Sequence, residues 1–337
     1  MSNTLDIHHT PSSPSISDGD NISEVSSRDE NLDIKTPDEL LEIGLELLGF
    51  SEKQINRKSK HRKHKLKNLF SGNFGALPHV VAQIWEDLQR TQIPAAWLKP
   101  EERNLPHFLY TFHFMKAYPT ETQRVGKWHE CDRIQRDVCW SLLLKIQALK
   151  AEKIVWPTPE EIGDNIWVGT VDGTHIKTQE PNHPIYPKDT KAFSYKNHAA
   201  GLDYELVLCL WKPSVIWMSG PYPAATHDIT IFKEGGLRDL LRSQNLKVIA
   251  DNGYKGNDDV ISRPNSQDSK EVSKCKSRAR CRQESLNGKI ETLACTNSAG
   301  FRHRGDIDGQ SKFKICFEAA VVVTQYKMEM GDPVFDV

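Results

Sequence analysis

The spacing of apolar residues predicts helices in the first half of the chain. Between residues 78 and 149, apolar side chains recur every three or four positions, as they do along one face of a helix. They predict three helices, through residues 81–88, 108–115 and 134–146, with Pro119 and Gly126 breaking the stretch between the second and the third. A shorter amphipathic helix is predicted within residues 36–50, with Thr36 or Asp38 near its N-cap.

The three helices allow two interpretations. Helices joined by a tight break, the last of which carries Arg133 and Arg136 on polar positions, suit a helix-turn-helix module that binds DNA. The same spacing suits an ordinary helical bundle whose charged side chains face solvent. The apolar pattern does not choose between them.

Beyond Pro157 the apolar pattern becomes that of an α/β fold. Residues 166–171, 202–210, 215–219 and 247–250 predict short strands. Segments with helical spacing cover residues 228–241, where Gly235 and Gly236 interrupt them, and residues 277–294. This order predicts a sheet with covering helices. Asp172 and Asp251 directly follow two of the strands, and ligands of open sheets bind at such strand ends.

Composition divides the chain into three regions. Its 337 residues are 38% hydrophobic, which suffices for a sizeable core. About the first 35 residues are rich in Ser, Asp, Asn and Pro, and are predicted to be disordered. All eight tryptophans lie between Trp85 and Trp217, so we expect the folded body to begin near Phe74. The predicted regions are an acidic tail with a short helix and a basic run (1–73), a helical, helix-turn-helix-like module (74–155) and an α/β domain (164–337).

The formal net charge of −1 hides a strong asymmetry along the chain. Residues 1–50 hold eleven Asp and Glu against two Lys and Arg, whereas residues 53–67 hold eight Lys and Arg and no acid. Such a basic run is typical of a nuclear localisation signal, of an arm that contacts DNA, or of a solubilising linker. The candidate localisation signal consists of Arg57, Lys58, Lys60, Arg62, Lys63, Lys65 and Lys67. We therefore expect a nuclear protein, which could also shuttle from the cytoplasm.

The cysteines and the apolar runs argue against two further classes of protein. The seven cysteines are an odd number, and none forms a C-x-x-C pair with a matching second pair, so we expect neither a disulfide scaffold nor a structural zinc site. No run approaches the ~20 apolar residues of a membrane span, and the first residues lack the features of a secretion signal. An intracellular protein without a membrane partner is the expectation.

Three carboxylates stand where they could hold metal ions. Asp172 and Asp251 follow predicted strands, with Gly173 and Gly253 just after them, whereas Glu284 lies on a basic, helix-like segment. Taken singly, an Asp before a Gly is more often a turn former, and a Glu on a basic helix is more often an exposed salt-bridge partner. Together, three acids suffice to hold two Mg²⁺ or Mn²⁺ ions against a phosphodiester, whose cleavage needs an activated nucleophile and a neutralised leaving oxygen.

Five motifs around these acids carry a family resemblance. In chain order they are VDGTHI (171–176), THDITIF (226–232), ADNGY (250–254), RQESLNGKIE (282–291) and FRHR (301–304). As an ordered set they resemble the DDE superfamily endonuclease domain of Harbinger-type transposases, which are relatives of bacterial insertion-sequence transposases. The closing segment from residue 312 also resembles the last helix of that family. The resemblance covers roughly residues 164–337.

The resemblance implies an RNase H-like fold and a catalytic acidic triad of Asp172, Asp251 and Glu284. Asp228 also recurs in the family pattern and is the second choice for the middle acid. The implied activity is cut-and-paste transposition, in which DNA strands are cleaved and transferred with Mg²⁺ or Mn²⁺, two ions being expected. The implied partners are transposon ends and target DNA, a Myb-like accessory protein, and further copies of the chain. A domesticated DNA-binding descendant without nuclease activity is the alternative.

Basic residues around Glu284 and on the third helix are candidates for binding DNA, because cations that contact phosphates release counterions. A solvated helix face is the plain alternative for the same charges. The candidates are Lys274, Lys276, Arg278, Arg280, Arg282 and Lys289, together with Arg133 and Arg136.

Overall fold

The structure is a computed structural model that describes residues 35–55, 60–91, 104–178, 190–297, 301–303, 306–307 and 309–337. The tail predicted to be disordered lies outside these residues, as do Arg57 and Lys58 of the basic run and Arg304 of the FRHR motif.

Helices make up the described part of the chain as far as residue 162. They are α1 (Pro37–Leu47), α2 (Glu52–Ile55), α3 (Lys60–Phe74), α4 (Pro78–Arg90), α5 (Leu105–Ala117), α6 (Glu121–Trp128), α7 (Asp132–Ala148), α8 (Lys150–Lys153) and α9 (Pro159–Ile162). The helices predicted from apolar spacing correspond to α1, α4, α5 and α7. Thr36 caps α1 as predicted, because its hydroxyl accepts from the Glu39 amide while the Glu39 carboxylate accepts from the Thr36 amide.

The break predicted at Gly126 is wrong, because Gly126 lies inside α6. A capping box between Thr120 and Gln123 starts this helix and satisfies its first amides. A single glycine inside a helix costs only about 1 kcal/mol relative to alanine, which the cap offsets.

The folded body begins at α1 rather than near Phe74. Leu40, Leu41 and Leu45 are at most 4% exposed, and Phe70 and Phe74 of α3 are fully buried. The boundary near Phe74 was predicted from the position of the tryptophans. Helices α1 and α3 contain no tryptophan and pack into the core through Leu and Phe side chains. The second half of the basic run therefore belongs to a packed helix, not to a linker.

The second half of the chain forms a mixed sheet with helices. Its strands are β1 (Trp167–Lys177), β2 (Phe193–Ser194), β3 (Ala199–Cys209), β4 (Val215–Pro223), β5 (Lys247–Ile249) and β6 (Ile261–Ser262), with a hairpin of β7 (Asp306–Ile307) and β8 (Gln310–Ser311). The helices are α10 (Asp228–Glu234), α11 (Leu237–Ser243), α12 (Lys270–Glu291), α13 (Ala294–Asn297) and α14 (Lys312–Glu329). Strands β4, β3, β1, β5 and β6 lie side by side in this order, and β2 pairs with the start of β3.

The centre of the sheet joins antiparallel and parallel strands. β1 pairs antiparallel with β3 and parallel with β5, so the two strands predicted to carry acids are neighbours. The predicted end of β1 is wrong: the strand continues to Lys177, and Asp172 lies within it opposite Leu206. Gly173, Thr174 and His175 gave no apolar signal, yet β3 supplies their backbone partners.

One hydrophobic core connects the helical region with one face of the sheet. It includes Leu40 of α1, Phe108 of α5 and Leu142 of α7 together with Leu206 of β3 and Phe317 of α14. A smaller core on the opposite face packs α10 and α11 onto the sheet through Val171, Val207 and Phe232. The helical region is therefore packed onto the α/β region and is not a separate module.

This packing disfavours the helix-turn-helix interpretation. α7 packs against α5 and α14, and Leu142, Leu143 and Ile146 are fully buried. A recognition helix must present a free face to a DNA groove. Arg133 and Arg136 lie near the exposed N-terminal end of α7, where Arg133 pairs with Asp137 and Arg136 with Glu121 of α6, and both remain candidates for binding DNA. Among the described residues, no helix combines the length and the apolar character that a membrane crossing requires.

Candidate active site

Asp172 lies on the face of β1 that contacts α12. The hydroxyl of Thr170 donates to Gln283 (2.9 Å), and the hydroxyl of Thr174 donates to Asn287 (3.0 Å). Between these contacts the Asn287 amide donates to Asp172 Oδ2 (3.1 Å). The Gly173 amide donates to the other carboxylate oxygen (2.9 Å), so both oxygens of Asp172 are held.

Asp251 lies beside Asp172 because β1 and β5 run parallel. Thr170 is opposite Ile249 in the ladder, and two positions further along each strand come Asp172 and Asp251. Asp251 caps a short 3-10 helix over residues 252–254 and accepts a hydrogen bond from the Gly253 amide (2.7 Å). The cap fixes the direction of this carboxylate at the end of the sheet.

Asp228, the first residue of α10, brings a third carboxylate to the same place. A Cβ on Gly173 would lie 2.7 Å from Asp228 Oδ1. A Cβ on Gly253 would lie 3.0 Å from Asp228 Oδ2 and 2.9 Å from Asp251 Oδ1. The two glycines therefore give the Asp228 carboxylate its room, and the structure places both candidates for the middle acid next to Asp172.

Two aspartates of the cluster, Asp172 and Asp228, have raised pKa values. Burial, and then the charges of Asp251 and Asp228, raises the pKa of Asp172 to about 6. Burial also raises the pKa of Asp228, with the exposed ammonium of Lys196 opposing the shift. Clustered acids with raised pKa values are typical of functional sites. Lys196 is the cation whose charge acts on both carboxyl groups.

Glu284 lies one helical turn from the residue that contacts Asp172. Its side chain is exposed, whereas Gln283 and Asn287 turn toward β1. Residues three or four apart on a helix are neighbours, so Glu284 and Glu291 flank Asn287 on either side. The structure does not bring the Glu284 carboxylate into contact with Asp172, Asp228 or Asp251.

A polar cleft of about 470 Å³ opens beside Gly173. Two lysines and three asparagines give it a surface suited to phosphate and to polar groups of a nucleic acid. Its lining consists of Gly173, Thr174, His175, Lys177, Lys196, Asn197, Asn287, Glu291, Thr296 and Asn297.

Two further acids lie near the cluster on β3, where Glu205 is opposite Gly173 and Asp203 is opposite His175 of β1. Asp203 Oδ1 and His175 Nδ1 form a hydrogen bond of 2.6 Å. Glu205 is fully buried, and neither of its carboxylate oxygens has a hydrogen-bond partner among the described residues. Burial raises the pKa of Glu205 to about 8. The nearby indole of Trp217 acts to lower this pKa, and the charge of Asp228 acts to raise it.

Several cations predicted to bind DNA have structural partners instead. Arg282 is 1% exposed and donates to the carbonyl oxygens of Cys209 and Lys212. Lys276 is buried and bridges to Asp268 at 2.9 Å. Lys289 pairs with Asp332, and Arg278 donates to the carbonyl of Asp336. Burial explains why the prediction for Arg282 and Lys276 is wrong; Lys274 is exposed and Arg280 is half-buried, and both remain candidates.

The cluster suits a divalent cation by the chemistry of its donors. Aspartate oxygens are the hard ligands that Mg²⁺ and Mn²⁺ prefer, and a cation would relieve the repulsion that raises the pKa of Asp172. In the part of the chain that the structure describes, however, no three Asp, Glu, His or Cys side chains converge into a ready ligand set. The donors are present, while their side chains are not in a coordinating arrangement.

The acids lie within the part of the chain that matches a family model. Residues 171–296 match the family model described as DDE superfamily endonuclease. This match supports a DDE transposase-type domain. It contains Asp172, Asp228, Asp251 and Glu284. No curated protein and no solved structure matches the chain.

Sequence reasoning missed three polar residues that surround the aspartates. Asn287, Lys196 and Glu205 come near the aspartates only in the folded chain. The signal for Asn287 was available, because it lies three residues after Glu284 on one predicted helix. Glu205 gave a weaker signal as one of two acids, with Asp203, within a mostly apolar strand.

Proposed function

We propose that this protein is a metal-dependent nuclease that cuts and joins DNA strands, as a Harbinger-type transposase with an RNase H-like catalytic domain. The observation that carries the proposal is the cluster of Asp172, Asp228 and Asp251 at the centre of the sheet. The family match over residues 171–296 supports the reaction class. A central strand that has an antiparallel neighbour on one side and a parallel neighbour ending at Asp251 supports the fold.

Asp172, Asp228 and Asp251 would hold two Mg²⁺ or Mn²⁺ ions. Bound there, the ions would supply a nucleophilic oxygen near neutral pH and neutralise the charge on the leaving oxygen. Asn287 and the Gly173 amide orient Asp172, and the Gly253 amide orients Asp251. Lys177 and Lys196, in the adjoining cleft, would contact the phosphates that flank the scissile bond.

The fourth acid of the proposed site comes from α12. We keep Glu284 as the acid implied by the family motif, since it lies one turn from Asn287. Glu291 is its competitor, because it lines the cleft beside Asn287. Glu284→Gln and Glu291→Gln variants, measured side by side, identify the acid that the reaction needs.

The proposal extends to the setting of the reaction. Transposon ends and target DNA are the proposed substrates, the nucleus is the proposed location, and a Myb-like protein and further copies of the chain are proposed partners. The rival is a domesticated protein that binds DNA without cutting it. Salt-sensitive binding of DNA with no cleavage under any metal condition would favour the rival.

A nicking assay tests the proposal. Purified protein is incubated with supercoiled plasmid in Mg²⁺, in Mn²⁺ and in excess chelator, with duplex RNA as a competitor. We expect nicked and linear plasmid only with a metal, and little inhibition by RNA. Cleavage that persists in chelator contradicts the metal requirement, and preferential cleavage of RNA contradicts DNA as the substrate.

A further inference from the structure

The densest positive charge of the described chain lies on a folded helix. The first eight residues of α3 contain five Lys and Arg and two His, and the helix contains no acid. The sequence pattern alone suited a nuclear localisation signal, an arm that contacts DNA, or a linker. A helix instead fixes the spacing of these charges along one rigid element.

The last two turns of α3 anchor it to the protein body. Leu66, Phe70 and Phe74 are at most 7% exposed, and the rings of Phe70 and Phe74 contact each other with centroids 4.7 Å apart. Gly44 of α1 leaves room for the Phe70 ring. The basic half of the helix is therefore held in a fixed position on the body.

The positive end of the helix adds to this charge only over the first turn, which contains Arg62. The N-terminus of a helix carries partial positive charge, which anions stabilise and cations destabilise. The first turn of α3 contains no acid to compensate. Lys65 and Lys67 lie beyond that turn, so their own charge, and not the helix end, is what an anion would meet.

Neighbouring groups compensate only part of the charge. Lys63 pairs with Asp38 at 2.7 Å, although both side chains are more than half exposed. Arg62 donates to the backbone carbonyl of Gln54. Lys65 is exposed and Lys67 half-buried, and neither has a hydrogen bond or ion pair with another described residue.

We propose that α3 binds the phosphate backbone of duplex DNA through Lys63, Lys65 and Lys67, independently of base sequence. The inference rests on the proposed function, because it takes the substrate of that reaction as the polyanion. Lysines held on a packed helix, two of which have no ion pair with another described residue, supply the positive charge that a phosphate backbone attracts. A nuclear import receptor is the competing partner for the same basic run.

The test compares two full-length triple variants of equal net charge. The first is Lys63→Gln, Lys65→Gln and Lys67→Gln. The control is Arg90→Gln, Arg238→Gln and Arg242→Gln, which removes three cations that already pair with Glu86, Asp239 and Asp259. Binding to a fluorescent DNA duplex of about 30 base pairs is measured across a salt series. Chelator is present throughout, so that no strand is cut.

We expect the α3 variant to bind on the order of tenfold more weakly at low salt, with a slope of log affinity against log salt smaller by about 3. Its unfolding midpoint should stay close to that of the wild type, because Lys65 is exposed and the exposed Lys63–Asp38 pair contributes little to stability. The control should keep the wild-type slope. Equal affinity and slope for wild type and α3 variant would overturn the inference.

Two further measurements distinguish DNA binding by α3 from binding of an import receptor and from the proposed cleavage reaction. Loss of nuclear entry in the α3 variant with unchanged DNA binding would assign the run to an import receptor and overturn the DNA assignment. Binding that depends on α3 in a protein that never cuts DNA would leave this inference standing and reject only the proposed reaction.

Discussion

The Asn287 side chain donates a hydrogen bond to Asp172 over 3.1 Å and thereby connects α12 to the middle of β1. The same asparagine accepts from the Thr174 hydroxyl, so it is held on both sides. This contact fixes the direction of an aspartate whose neighbours include two further carboxylates. It also places the turn of α12 that carries Glu284 next to the acidic cluster.

Replacing Asn287 by Ala should weaken metal binding and slow cleavage by about 10–100-fold, as is typical when the partner of a metal ligand is lost. Asp172 would keep only its backbone hydrogen bond and adopt several directions. Titration of Mn²⁺ into the variant measures the affinity. Ser277→Ala, an exposed change on the same helix, is the control and should leave the affinity unchanged. Wild-type affinity in the Asn287 variant contradicts the positioning role.

Replacing Gly173 by Ala should slow cleavage by about tenfold or more, because the new methyl group would lie 2.7 Å from Asp228 Oδ1 and displace that carboxylate. Gly288→Ala is a matched control, since its Cβ would meet nothing within 4 Å. The control should keep the wild-type rate and raise the free energy of unfolding by about 0.5–1 kcal/mol. Equal rates for both variants would show that Asp228 is not needed.

Glu205 should make the stability of the protein depend on pH. Its pKa is about 8 in the folded chain and 4.5 as the ordinary value, so between these values the folded chain binds a proton that the unfolded chain has released. The free energy of unfolding then falls as the pH rises through this window. Glu205→Gln should match the wild type near pH 4 and exceed it at pH 8 by on the order of 3 kcal/mol. Denaturant unfolding in chelator at the two pH values measures this difference, and a constant difference contradicts the assignment.

Arg282 and Lys274 should behave in opposite ways, although both belong to the basic segment around Glu284. Arg282→Met leaves the carbonyls of Cys209 and Lys212 without their donor and should lower the free energy of unfolding by about 1–3 kcal/mol. Lys274→Gln, at an exposed position, should change stability by less than about 0.5 kcal/mol and weaken DNA binding. Chemical unfolding and a salt series of DNA binding distinguish the two. Weaker DNA binding without destabilisation in the Arg282 variant would restore its predicted role.

Apolar spacing located most of the helices and strands because burial of one face sets the period of the pattern. It placed α4, α5, α7, β3 and β5 within a few residues. It ended β1 too early, because Gly173, Thr174 and His175 extend the strand by pairing with β3 and not by burying apolar side chains. Pairing with β3, a segment distant in the sequence, therefore determines where β1 ends.

The site was predictable only as far as single acids could be recognised. Asp172 and Asp251 were identified because each directly follows an apolar run. The contribution of Asp228 depends on the missing side chains of Gly173 and Gly253, which no local pattern reveals. The structural role of Arg282 depends on the carbonyl groups of Cys209 and Lys212, which accept its hydrogen bonds. Contacts between distant segments decide which charged residues serve the site and which hold the fold.

The most direct test of the acidic cluster is the Mg²⁺-dependent nicking rate of Asp172→Asn against wild type and Asp259→Asn. Asp259 is an exposed acid that pairs with Arg242, so its variant controls for the loss of one negative charge. We predict that Asp172→Asn cuts at least about a hundredfold more slowly, while its unfolding midpoint equals or exceeds that of the wild type because a crowded, half-buried charge is gone. The Asp259 variant should keep the wild-type rate. A wild-type nicking rate for Asp172→Asn would contradict the assignment of this cluster as the catalytic centre.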